Sequence, residues 1–156
     1  MEEIKPLGYI LGLPLRVFLN HVALEFRNRE IELTFEQFVM LRLIDSNKEL
    51  IQQDIANHLQ KDKSLIVRQM NGLIEKKYVV RQTNREDKRK KNLILTPKGT
   101  EMMNQITELT FEVSNKLLAG VDDNDNKAFR RVLNQIQENG GSSEEFLSIK
   151  EIKNRI

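Results

Sequence analysis

The stretch IQQDIANHLQKDKSLIVRQMNGLIEKKYVVRQTNREDKRKKNLILT, residues 51–96, decides the fold. Near its end, RQTNREDKRKKN (81–92) sets six basic residues, Arg81, Arg85, Lys88, Arg89, Lys90 and Lys91, against Glu86 and Asp87 alone. That is a local charge of about +4 on a chain whose formal net charge is +2. The positive field is thus concentrated on one short element, and the remainder is near neutral or slightly acidic. The element lies between two β-like runs, YVVRQ and NLILT, and so forms the tip of a hairpin. A basic hairpin tip cannot be core, and it is shaped to reach a polyanion. An isolated charge run is more often a solvated turn, but what precedes this one changes the balance.

Working upstream, IQQDIANHL sets Ile51, Ile55, Ala56 and Leu59 on one helical face. After a polar break at 60–63, SLIVRQMNGLIEKK sets Ile66, Met70, Leu73 and Ile74 on another. Two short helices joined by a tight turn and followed directly by a β-hairpin describe a winged helix-turn-helix.

Outside this unit the pattern is helical. Leu15, Phe18, Leu19, Val22, Ala23 and Phe26 form one face of a first helix, which begins before Pro14. Thr34 and Gln37 form a capping box for a second helix. Phe35, Phe38, Val39, Leu41, Leu43 and Ile44 then cover most of its circumference, so it is buried. Pro97 suits the first turn of a long helix with Met103, Ile106, Leu109, Phe111, Val113 and Leu117 as its apolar positions. Gly120 stops it, and the acids at 122–125 favour the N-terminus of a last helix over about 126–138, striped by Phe129, Val132, Leu133 and Ile136. GGSS is a joint. The tail beyond it, with Phe146, Ile149, Ile152 and Ile156, is either disordered or a short amphipathic helix on the dimer layer. The expected fold is mainly α with a small β-hairpin. Its parts are an N-terminal dimerisation helix (1–33), a winged helix-turn-helix (34–98), C-terminal dimerisation helices (99–139) and a linker with a short tail (140–156).

Composition narrows the function. A 156-residue chain that is 39 % hydrophobic and 31 % charged can bury a core. No apolar run approaches the ~20 residues of a spanning helix, and the N-terminus has no signal-peptide pattern; a cytoplasmic protein without a membrane partner is expected. The absence of cysteine removes disulfides, thiolate chemistry and Cys-based zinc sites. His21 and His58 have no ligand partners at metal spacing, so no metal or cofactor is expected. No nucleophile–base pair, phosphate loop or paired acids mark an enzyme.

The segments LTFEQF (33–38), QQDIANHL (52–59), DKSLIVRQMNGLIEK (62–76), DKR (87–89) and LTPKG (95–99) resemble, in order and spacing, the MarR (multiple antibiotic resistance regulator) family. The resemblance covers about residues 7–137. Two departures stand out: Leu65 and Val67 replace the small hydroxyl residues common after the serine, and Lys77 replaces the glycine that commonly ends the recognition helix.

Turning the stripe of the second short helix inward leaves Ser64, Leu65, Val67, Arg68 and Asn71 outward. Arg68 suits either guanine O6 and N7 or a phosphate, and Asn71 suits adenine. Leu65 and Val67 either touch a thymine methyl or belong to a broader core face. Asp62 is the expected cap, with Ser64 left for a phosphate, and Gln52 suits the DNA backbone. On the wing, Arg85, Lys88, Lys90 and Lys91 lie near phosphates. The resemblance implies that Arg89 enters the minor groove and that Asp87 orients the wing through a salt bridge. It also implies a homodimeric, sequence-specific repressor on a pseudo-palindromic DNA operator, released by a small effector, often an aromatic anion. The alternative is a winged-helix protein-interaction module without specific DNA binding, which would not need the wing charge.

Overall fold

A computed structural model describes residues 5–47 and 49–141. The elements run α1 (Leu7–Asn28), α2 (Phe35–Ser46), α3 (Gln52–His58), α4 (Lys63–Glu75), β1 (Val79–Thr83), β2 (Lys91–Leu95), α5 (Pro97–Leu117) and α6 (Asp123–Asn139). Residues up to Leu117 form one compact unit and those from Leu118 a second. The tail beyond Gly141, including its apolar stripe, lies outside the described residues.

Within the first unit α2 is the centre. The Thr34 hydroxyl accepts from the Gln37 N–H at 3.1 Å, and the Gln37 side-chain Oε1 accepts from the Thr34 N–H at 3.0 Å, closing the expected capping box. Phe38, Met40, Leu41, Leu43 and Ile44 are all buried, as the near-continuous apolar surface of this helix requires. Also buried in this unit are Val22 and Phe26 of α1, Ile55 of α3, Ile66, Met70 and Leu73 of α4, and Met103, Ile106, Leu109 and Val113 of α5.

β1 and β2 pair antiparallel, from Val79 opposite Leu95 to Thr83 opposite Lys91. The Leu93 N–H also donates to the Leu50 carbonyl at 2.8 Å, which ties the hairpin to the segment entering α3.

Three helices end alike. After α1, α3 and α4 the chain turns through a left-handed residue that is not glycine: Glu30 (φ 54), Gln60 (φ 49) and Lys77 (φ 62). In each case the next N–H reaches back to a carbonyl of the last turn: Ile31 to Phe26 at 2.8 Å, Lys61 to Ala56 at 3.1 Å and Tyr78 to Leu73 at 2.9 Å. These are Schellman closures. α4 therefore stops sharply although Lys77, not glycine, takes the left-handed position.

Two expectations need correction. The last helix begins at Asp123, with Asp122 accepting from the Asn124 and Asp125 N–H groups, three residues earlier than the apolar stripe alone implies. The acidic cluster is a cap and first turn, not a prelude. Second, although uninterrupted apolar runs are short, α1 as a whole is 22 residues long and, by length and composition, apolar enough to cross a membrane. Only Val22 and Phe26 of α1 are buried, while Leu7, Tyr9, Ile10, Leu13, Leu15 and Val17 are exposed. An apolar surface of this extent on one helix calls for a cover.

Candidate nucleic-acid interface

Helix α4 is started by Asp62, whose carboxylate accepts from the Ser64 N–H at 2.8 Å and the Leu65 N–H at 3.3 Å. The Ser64 hydroxyl also donates to it. That hydroxyl first, and then the two N–H groups, hold the Asp62 carboxyl below the usual carboxylate range. Asp62 is the cap, as expected, and in this structure the Ser64 hydroxyl is engaged by it. Ser64, Arg68 and Asn71 are exposed and fall on one face at helical spacing. Leu65 and Val67 are half-buried, between the two readings open to them. Gln69 is also half-buried and donates to Glu36 at 2.7 Å.

Arg81 joins this helix to the wing. Cross-strand partners share a sheet face, so Arg81 lies on the face of Leu93, its partner, and of Val79, both fully buried. That face turns toward the helices at its Val79 end, while Arg81 itself is exposed. One nitrogen, Nη2, donates to Asn71 Oδ1 at 2.9 Å and to Gln52 Oε1 at 3.3 Å. Gln52 is half-buried at the start of α3, and its own Nε2 is buried without a hydrogen-bond partner. In the sequence alone Arg81 stands only as part of the wing charge. The parity of β1, with Arg81 two residues beyond the buried Val79, was the signal that could have placed it.

The wing tip is built by two side chains. Asn84 Oδ1 accepts from the Glu86 and Asp87 N–H groups, both at 2.9 Å, and the Asn84 N–H donates to the Lys90 carbonyl at 3.0 Å. Asp87 Oδ1 accepts from the Arg89 N–H at 3.0 Å and lies 3.6 Å from Arg89 Nε. The Arg89 side chain is nonetheless 96 % exposed. Arg85, Lys88, Lys90 and Lys91 are exposed as well, with Lys91 Nζ donating to Thr83 Oγ1 at 2.6 Å. An ordered turn thus carries a cluster of cations into solvent. Such a cluster raises the local concentration of a polyanion and fits phosphates.

His21 and His58 are both half-buried. Among the described residues no three His, Asp or Glu side chains come together to hold a metal ion.

Residues 31–90 match the family model described as MarR family. The chain is also similar in fold to several solved structures. Against Escherichia coli MarR in its apo form the TM-score is 0.75 at 21 % identity, covering 86 % of this chain and 98 % of that one. A MarR transcriptional regulator from Methanosarcina mazei gives 0.74 at 22 % identity, with 85 % and 94 % covered. A Mycobacterium tuberculosis MarR family protein in complex with salicylic acid gives 0.70 at 20 % identity, with 87 % and 99 % covered.

Proposed function

We propose that the chain is a DNA-binding transcriptional regulator of the MarR family, whose model matches its winged helix-turn-helix, and that it acts as a cytoplasmic homodimeric repressor released by a small ligand. In this reading α4 enters the major groove, with Ser64, Arg68 and Asn71 facing the DNA and Leu65 and Val67 at the margin. The wing lies along the adjacent backbone, with Arg89 in the minor groove and Arg85, Lys88, Lys90 and Lys91 near phosphates. Asp87 braces the wing, and Gln52 stands beside the backbone.

The observation that carries this reading is the wing: an exposed arginine on a turn held rigid by Asn84 and Asp87. A merely solvated turn has no need of that ordering, whereas groove insertion gains from it because less side-chain freedom is lost on binding. Dimerisation is supported by the exposed apolar face of α1, which a second copy would cover. A symmetric dimer then matches a pseudo-palindrome with half-sites about 34–36 Å apart. A small aromatic or anionic effector is supported by the relative solved with salicylic acid. Such a ligand releases DNA only by favouring an arrangement of the two lobes that fits the operator less well.

The test is binding to the DNA upstream of the protein's own gene, followed by fluorescence anisotropy across a salt series beside a scrambled duplex. Specific regulation predicts a preference of about 10³ or more with a steep salt slope. Equal weak binding to both duplexes, or a monomer by sedimentation at the same concentration, would count against it.

A further inference from the structure

Arg81 is unlike the cations of the wing tip in what it touches. Lys91 and Arg89 bond within the hairpin, to Thr83 and Asp87, whereas Arg81 reaches out of it to two helices. A single nitrogen, Nη2, carries two hydrogens, and its two acceptors lie on α4 and α3 at 2.9 and 3.3 Å. The guanidinium is always charged and planar, so the contact is charge-assisted and directional.

The consequence falls on Asn71. A side-chain amide has an accepting end and a donating end that are otherwise free to exchange by rotation. Arg81 is a donor only, and it therefore fixes Asn71 Oδ1 toward the protein. Asn71 is exposed, and its Nδ2 has no hydrogen bond among the described residues. The donor end is thus left for whatever approaches α4.

We propose that Arg81 is a positioning residue for DNA readout. It holds the Asn71 amide with its N–H donors outward, so that Asn71 offers hydrogen bonds to a major-groove acceptor such as guanine N7 or O6, adenine N7 or thymine O4. Because the same nitrogen holds Gln52, the wing strand, α3 and α4 dock as one unit. This rests on the reading of α4 as the major-groove element.

A duplex is first selected by the wild-type protein from a library randomised over about 20 bp, enough for two half-sites. Wild type, R81M, R81K, N71A and the R81M/N71A double variant are then titrated against that duplex and all its single base-pair changes, over a salt series. R81M is expected to relax discrimination by about tenfold or more at one symmetry-related pair of positions, the same pair that N71A relaxes. The double variant is expected to be no worse there than N71A, the salt slope to stay at the wild-type value, and R81K to restore part of the discrimination.

A salt slope smaller by about one with discrimination intact would make Arg81 a phosphate contact and overturn the proposal. So would a uniform loss on every duplex accompanied by a lowered Tm, with no rescue by R81K, since that describes a structural residue. If N71A leaves every base preference unchanged, the assignment of Asn71 to the groove fails and the proposal falls with it. If N71A acts and R81M does not, only the role of Arg81 is lost.

Discussion

A Cβ added to Gly99 would stand 2.0 Å from the carbonyl oxygen of Tyr78, so the first turn of α5 rests directly on the backbone that links α4 to β1. That carbonyl is also engaged from α5's entry, accepting from the Thr96 N–H at 3.0 Å, while the Thr96 hydroxyl accepts from the Gly99 N–H at 3.0 Å. The glycine of LTPKG is there because two backbones meet. Gly99→Ala must displace one of them, and backbone cannot rotate aside as a side chain can. A loss of about 3 kcal/mol is expected, measured by urea unfolding. An effect under about 0.5 kcal/mol, the range of an ordinary surface change, would mean that α5 can shift without cost.

Lys77 holds a left-handed conformation at φ 62 with its side chain exposed. The conformation costs an L-residue about 1 kcal/mol or more, and glycine largely escapes that cost. Lys77→Gly should therefore raise stability by about 0.5–1 kcal/mol, and Lys77→Val should lower it. Paired thermal melts decide the matter: a destabilised glycine variant would show that Lys77 makes contacts outweighing its backbone strain.

Asp62 ties the pH dependence of the fold to the start of α4. Its folded carboxyl is held below the ordinary range by the Ser64 hydroxyl and by the Ser64 and Leu65 N–H groups. A depressed folded pKa means that the contribution is complete above the unfolded value and fades as pH falls through the folded one. Asp62→Ala should lower Tm by a few degrees near neutrality, on the order expected for a lost cap. The gap to wild type should close in acid, below about pH 4. A gap independent of pH would mean that the ionised carboxylate is not what caps α4.

Asp87 allows simple charge counting to be set against geometry. Removing an acid from a cationic wing should strengthen DNA binding if only net charge mattered. If the bonds from Asp87 to the Arg89 N–H and guanidinium hold the wing in shape, Asp87→Ala should instead weaken binding, by about tenfold. Anisotropy titrations at two salt concentrations separate the cases, because tighter binding on loss of the acid would remove the brace from the account.

The contrast among these residues marks where sequence reading reaches. The Thr34–Gln37 capping box, the Asp62 cap, the place of Pro97 in α5 and the inward stripes of α2 and α4 were all legible. Each depends on residues within about one or two helical turns, where backbone geometry fixes which side chains meet. The basic wing was legible for a related reason, since six cations in twelve residues have nowhere to go but solvent. The order of these local signals, two short helices and a hairpin, was enough to determine the fold class. What only the tertiary structure decided are the contacts made across elements. Arg81 meets Asn71 and Gln52, 10 and 29 positions away, because strand register puts it on the face of Val79 and Leu93, where, though exposed, it reaches both amides with one nitrogen. Gly99 meets Tyr78 because α5 returns against the link between α4 and β1. The parity of β1 gives Arg81 its face, but no local periodicity encodes either meeting. They follow from how whole elements pack, and that is set by the shape of the shared core, not by any segment of the chain alone.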